Sequence, residues 1–121
     1  MRNMSFFLTT PQFIARSKLV TRRLGWWDLE VNDMVMGVEK GQGLKKGETV
    51  KRLGPIRIVV AGPVRLDAID LADVILEGFP GMTPAEFVRM FCDHNRAKQC
   101  RPETIVNRIA FEYLDPDEVP R

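Results

Sequence analysis

At 121 residues the chain has room for one domain, and its composition (45% hydrophobic, 28% charged, 8% aromatic) is that of an ordinary globular protein. This balance excludes disorder as the main state, and apolar runs as short as Ile58-Val59-Val60-Ala61 exclude a membrane span, which needs about 20 apolar residues. The net charge of +2 argues against strong nonspecific nucleic-acid binding, yet the charges are sorted: residues 1–27 hold five bases and no acid, 40–57 six bases and one acid, 66–86 five acids and no base.

The first expected elements are a short strand near 5–9 and a short helix near 11–17, started by Thr10 and Pro11 and burying Phe13 and Ile14. Pro11 also cuts short the run Phe6-Phe7-Leu8, so no secretory leader is expected, residence is cytoplasmic, and Cys92 and Cys100 are reduced thiols. A strand near 20–24 follows. Segments 34–39 and 48–53 read as strand partners joined by the glycine-rich turn 41–47, and the β-branched segment 56–61 reads as a buried strand. A helix is expected at about 66–76, with Leu66, Ile69, Ala72 and Leu76 as its apolar stripe and Gly78 and Pro80 as its stop.

The strongest local signal lies at 82–94. Thr83-Pro84-Ala85-Glu86 is a capping box with proline at the first helical position, Met82 and Phe87 are placed for a hydrophobic staple, and Phe87, Met90 and Phe91 follow helical spacing. Residues 105–113 form the last strand, with 105, 109, 111 and 113 on one apolar face, and 115–121 an acidic mobile tail. The sum is an α+β fold: a small curved or closed β-barrel of about five to six strands flanked by about three helices.

A single histidine removes whole classes of catalysis. His94 sits near a helix end, where its cation suits the dipole, and Cys92, His94 and Cys100 match no standard zinc spacing, so neither a metal nor another cofactor is expected. Loop 40–49 holds Lys40, Lys45 and Lys46 among glycines but is not a Walker A; it suits a phosphate or RNA backbone, or simply a solvated hairpin. Of Trp26 and Trp27, one is expected in the core and the other is available to stack on a base.

The segment Arg16-Ser17-Lys18-Leu19-Val20-Thr21-Arg22-Arg23, with its Lys-x-x-Thr-x-Arg spacing after a proline-started helix, resembles the signature of the ASCH (activating signal cointegrator homology) domain. Asp33-Met34-Val35, Glu77-Gly78-Phe79 followed by Glu86-Phe87, and the closing strand Val106 to Tyr113 recur in the family's order, so the resemblance covers about residues 5–114. Leu19 stands where the family has threonine, Asn32 where it has glycine, and Pro80-Gly81-Met82 is inserted before the helix. The resemblance implies a PUA-like fold, a single domain over 4–114, and RNA- or nucleotide-directed function. One small bacterial branch hydrolyses the amide of cytidine acetylated on its exocyclic amine, and its catalytic set carries over as Lys18, Thr21 and Glu77.

That chemistry imposes conditions. A threonine hydroxyl needs a base, and lysine is one only when its pKa falls from about 10.4 to about 7–8, a change of roughly 3–5 kcal/mol. Burial and the cations Arg22 and Arg23 push this way, whereas a nearby Glu77 carboxylate opposes them. Positions 18 and 21 of a regular strand point to opposite faces, so Lys18 must lie in the turn before the strand; Arg23 then shares the Thr21 face and can hold a carbonyl oxygen or phosphate. The leading reading is a monomeric protein directed at a nucleoside or RNA, with an amidohydrolase using Lys18, Thr21 and Glu77, and with Arg22, Arg23, Lys40, Lys45, Lys46 and Trp26 as ligand contacts. The alternatives are a binder of RNA or a modified nucleotide without turnover, and a phage-type protein-interaction module using the acidic 66–86 face.

Overall fold

The computed structural model describes residues 1–41 and 43–120; Gln42 of the expected glycine-rich turn and Arg121 of the expected tail lie outside the described residues. Five strands form one mixed sheet: β1 (Arg2–Ser5), β2 (Val20–Arg23), β3 (Met34–Val38), β4 (Arg52–Arg65) and β5 (Ile105–Tyr113). Their spatial order is β1-β3-β4-β5-β2, with β1 parallel to β3 and the other pairs antiparallel. The sheet curls into a half-barrel carrying three helices, α1 (Thr10–Ile14), α2 (Leu71–Leu76) and α3 (Pro84–His94). The curl brings the two edges together: the Arg23 guanidinium at the end of β2 stands 4.8 Å over the ring of Phe6, the residue after β1.

Two apolar clusters hold this arrangement. Met4, Phe6, Phe13, Val35, Ile56, Ile58, Ile109 and Phe111 fill the concave side, while Leu66, Ile69, Val74, Phe87, Phe91 and Val106 join α2 and α3 to the opposite face of β5. The capping box of α3 is formed as expected, with the Glu86 amide donating to the Thr83 hydroxyl and the Thr83 amide to the Glu86 carboxylate. Met82 packs against the cluster that contains Phe87.

Several expected elements are displaced, each for a local reason. β1 ends at Ser5 because Phe7–Thr9 winds into a 3-10 turn and the Thr10 hydroxyl donates to the Phe6 carbonyl. In α1, Phe13 is buried but Ile14 is 63% exposed. The two strands expected at 48–53 and 56–61 are one, β4, which begins only at Arg52 because Glu48 closes a turn on Lys45. Gly54 and Pro55 do not interrupt it; they lie opposite a register shift at Gly37/Val38. The helix expected at 66–76 is split: Asp70 is extended and its carboxylate accepts from the Asp73 amide, so a 3-10 turn at Leu66–Ala68 precedes α2. The buried stripe becomes Leu66, Ile69 and Val74, with Ala72 outside it. Ile105 is half-exposed because the early part of β5 buries Val106 against the helices, and the inward set starts at Asn107. Beyond β5, Pro116–Glu118 forms a 3-10 turn, and Arg16 donates to Asp115 at 3.1 Å.

Two close approaches yield tests. A Cβ on Gly37 would lie 2.3 Å from Phe13 Cζ, inside the first cluster. Gly37→Ala is therefore expected to lower stability by about 1–3 kcal/mol, read as an earlier urea midpoint with an unchanged slope. Cys92 of α3 and Cys100 are free thiols with Sγ atoms 3.4 Å apart, and burial, reinforced by the Cys100 contact, pushes the Cys92 thiol up to about 11. Iodoacetamide at pH 8 should modify Cys92 at least tenfold more slowly in the folded than in the urea-unfolded chain, as mass spectrometry of its peptide would show.

Candidate functional site

The half-barrel leaves a gap between its two edge strands, and this gap is a cleft of about 340 Å³. One wall is the end of β1 and the turn after it, Ser5 to Thr9; the other is Lys18 and Thr21 to Leu24 with Trp26. Glu77 and Phe79 close the back, and the C-terminal part of α3 with its extension (Met90, Phe91, His94, Asn95, Lys98) forms a third side. Both edges have unpaired backbone along the gap, so polar side chains gather there without disturbing the apolar clusters.

At the back lies a buried ion network. Lys18 Nζ donates to Glu77 Oε1 at 2.9 Å and to the Glu77 carbonyl at 2.8 Å. Arg22 Nη1 donates to Glu77 Oε2 at 3.0 Å, and the Lys18, Arg22 and Glu77 side chains are each only 3% exposed. Arg22 Nη2 also reaches Asp73 Oδ2 at 2.6 Å, and Arg108 of β5 clasps the same carboxylate through Nε (2.7 Å) and Nη2 (2.9 Å). Charges thus alternate from Lys18 through Glu77, Arg22 and Asp73 to Arg108. Asp73 is set on the first turn of α2 and Glu77 caps its end, so one short helix aims both acids at β2.

Lys18 lies outside the strand, in the irregular stretch between the Ala15–Arg16 turn and β2. Its carbonyl accepts from the Tyr113 hydroxyl, which burial pushes up to about 12 and so keeps protonated. Burial holds the Lys18 ammonium below its ordinary range; Glu77 opposes that shift, and Arg23 and Arg22 add to it. Thr21 is buried on the concave face of β2, and its Oγ1 accepts from Arg23 Nε at 3.0 Å. Lys18 makes its side-chain bonds to Glu77 and none to Thr21 among the described residues. Burial lowers Arg23 to about 10, with Glu77 opposing, so the guanidinium stays charged at neutral pH.

Lys18, Thr21, Glu77, Arg22, Arg23 and Trp26 are therefore brought to one cleft, whereas Lys40, Lys45 and Lys46, expected at its rim, do not line it. Trp26 packs against the first cluster with Arg2 4.1 Å over its ring, and Trp27 is the exposed one, at 54%. The departure at Leu19 is harmless to the cleft, since that side chain is exposed and outside it. The inserted Pro80-Gly81-Met82 leaves Glu77 in register with Lys18.

Sequence reasoning missed Asp73 and Arg108, although the acidic run facing a basic N-terminal segment was the available signal. It also missed Asn107, whose Nδ2 donates to the Gly25 and Trp26 carbonyls (3.2 and 2.9 Å) and so holds Trp26 at φ +60°. His94, which the sequence offers as a helix-end cation or a metal ligand with Cys92 and Cys100, lines the cleft instead, and nothing in the sequence marks Lys98.

No protein-family model matches the sequence, and no curated protein matches it. Among solved structures, a protein of Enterococcus faecalis V583 assigned to family DUF984 matches with a TM-score of 0.68 at 15% identity, over 95% of this chain and 77% of that one. An ASCH domain from Lactobacillus crispatus JV V101 matches with a TM-score of 0.61 at 14% identity, over 88% and 70%. The chain has an ASCH-like fold. In this ASCH-like domain no helix among the described residues is long and apolar enough to cross a membrane.

The network predicts an acid dependence. Hydrogen bonds from Arg108, joined by Arg22, hold Asp73 down to about 2 in the folded protein, against 3.8 in an ordinary aspartate. A depressed carboxylate stabilises the fold fully above the unfolded value and loses that contribution as pH falls from about 4 to about 2, to the extent of roughly 2 kcal/mol. Urea unfolding of Asp73→Asn should show a shallower loss of stability over that window than the parent; equal slopes would contradict it.

Proposed function

We propose that this ASCH-like domain is nucleoside-directed and hydrolyses the amide of an acylated cytidine-type base. The observation that carries the reading is the convergence of Lys18, Thr21 and Glu77 in one cleft, with Lys18 buried and its proton affinity lowered. In this reading Lys18, hydrogen-bonded to Glu77, acts as its neutral amine, a form that burial favours and that substrate entry, by excluding water further, favours more. The neutral Lys18 amine takes the Thr21 proton as Oγ attacks the acyl carbon, and Arg23 Nε, already donating to Oγ1, steadies the developing charge. Collapse breaks the C–N bond, the base's amine leaves with the proton from Lys18, and water then releases the acyl group from Thr21 as a carboxylate.

For Lys18 to act on Thr21, its Nζ must swing from the Glu77 carbonyl toward Oγ1, a side-chain motion within the cleft. Purified protein should release acetate from N4-acetylcytidine. Thr21→Ala and Lys18→Ala should each lose at least a hundredfold in kcat/KM while Thr21→Ala keeps its thermal unfolding midpoint within a few degrees. Absence of turnover by the folded parent would sink this reaction.

A second reading, binding without turnover, is favoured by one fact: Lys18 spends both side-chain bonds on Glu77. Binding of cytidine with Thr21→Ala unaffected and no acetate released would establish it. The acidic 66–86 face offers little to a protein partner. Asp67 pairs with Arg65, Asp70 caps α2, Glu86 closes the α3 capping box, and Asp73 and Glu77 serve the buried network.

A further inference from the structure

The cleft has an unbalanced charge. Its lining includes three cations, Arg22, Arg23 and Lys98, besides the buried Lys18, against one carboxylate, Glu77. Glu77 is occupied by Lys18 and Arg22, and the second acid on Arg22 is Asp73, which also answers Arg108. Arg23 and Lys98 are left without a carboxylate within ion-pair distance among the described residues. Arg23 uses Nε on Thr21 and stands over the Phe6 ring, and its Nη groups make no hydrogen bond among the described residues. A half-buried guanidinium costs desolvation, and here burial pulls it down to about 10.

Position adds to charge. Lys18 and Thr21, each 3% exposed, are the deep end of the cleft, whereas His94 and Lys98 are exposed and so form its mouth. Arg23 is half-buried and bonded to the Thr21 hydroxyl at the deep end. Lys98 is the last residue of a 3-10 turn (Arg96–Lys98) tied back to α3 by Lys98 N to Asn95 O at 3.0 Å, so its backbone is fixed relative to the cleft. A base directed at Thr21 would carry its sugar past Arg23 and present its 5′ substituent toward Lys98 and His94. A phosphate monoester meets this arrangement: its doubly charged head has three terminal oxygens, enough for a planar guanidinium on one side and an ammonium on the other.

We propose that the outer half of the cleft, Arg23 with Lys98 and His94, is a phosphate subsite, so that the ligand is a nucleotide carrying a terminal phosphate rather than a free nucleoside. The proposal rests on the nucleoside reading of the deep end, and adds to it the part of the ligand that the deep end does not touch. The phosphate belongs either to a free mononucleotide or to the 5′ end of an RNA strand, which present the same group to the same cations.

The test is calorimetric titration of the full chain with cytidine, cytidine 5′-monophosphate, ribose 5-phosphate, and a short oligoribonucleotide with and without its 5′-phosphate. The monophosphate is expected to bind at least tenfold more tightly than cytidine, with that advantage shrinking as sodium chloride rises. Lys98→Ala should reduce the advantage to threefold or less and leave cytidine binding unchanged; Lys98→Arg should keep it and Lys98→Glu abolish it. Because Lys98 is exposed, these variants are expected to fold, and equal thermal midpoints would confirm it. Ribose 5-phosphate should compete with the monophosphate whatever the base, which frees the result from the choice of cytidine. The paired oligonucleotides separate the sources: a 5′-phosphate advantage exceeding that of the mononucleotide assigns the site to an RNA end, and a smaller one to free nucleotides. Equal affinity for cytidine and its monophosphate, or an advantage that survives Lys98→Glu, would overturn the proposal. If acetylcytidine is not hydrolysed but the Lys98-dependent advantage is present, the reaction fails and the subsite stands. If acetylcytidine and its 5′-phosphate are turned over with equal kcat/KM, the reaction stands and the subsite falls.

Discussion

A single buried carboxylate organises the molecule. Glu77 sits at the end of a helix of only six residues, too short to be stable by itself, and receives Lys18 on one oxygen and Arg22 on the other. Both cations come from the segment that enters β2, so the pair of contacts pins α2 to an edge strand. Removing such a charge from water costs several kcal/mol, and only complete pairing offsets it; a change that deletes Glu77 would strand the buried Lys18 and leave Arg22 with Asp73 alone, and the expected cost of breaking such a pair is about 3–5 kcal/mol. The burial that this pairing permits lowers the proton affinity of Lys18 against the pull of Glu77, so the fold's anchor and the proposed chemistry draw on one set of atoms.

Much of this was legible in the sequence where the signal was local. The capping box at Thr83–Glu86 and the period-two run of β5 depend on neighbours a few residues away, and both stand where the spacing put them except for Ile105, which is half-exposed. The motif around Lys18 and Thr21 gave their place relative to β2 because the stretch leading into a strand is also a local matter. Elements failed where a distant partner decided. β4 runs through Gly54 and Pro55 because β3 pairs with both and the Leu114 amide donates to the Pro55 carbonyl, which no window around those residues could show. The 66–76 segment is the exception, a local miss: its continuous helical stripe hides that Asp70 caps the Asp73 amide and restarts the helix, so the buried residue becomes Val74.

The site divides the same way. Charge sorting along the chain was visible, but not that the acidic run folds back onto the basic one, which uses Asp73 and Glu77 internally. The lysines of the 40–46 loop looked like rim residues because they are basic and near glycines; the sheet order instead carries that loop, between β3 and β4, away from the gap at the two edges. Lys98 reached the cleft only through the way α3 lies across it. A cation's sequence neighbourhood says little about which cavity it faces.

The strand order has a temporal side. Residues 34–113 supply β3, β4 and β5, which pair in sequence as the three central strands, whereas the first 23 residues contribute β1 to one edge and β2 to the other. The N-terminal segment is therefore a clasp: it must leave one margin of a sheet made from later residues, cross beneath it through α1, and dock on the far margin. Closing that long loop is entropically the most demanding pairing in the fold, so it is expected late in folding and first in any partial opening. Because both walls of the cleft belong to the clasp, the pocket can vanish while the central meander stays intact, and a ligand that bridges the two edges would act as the stitch that holds the clasp shut.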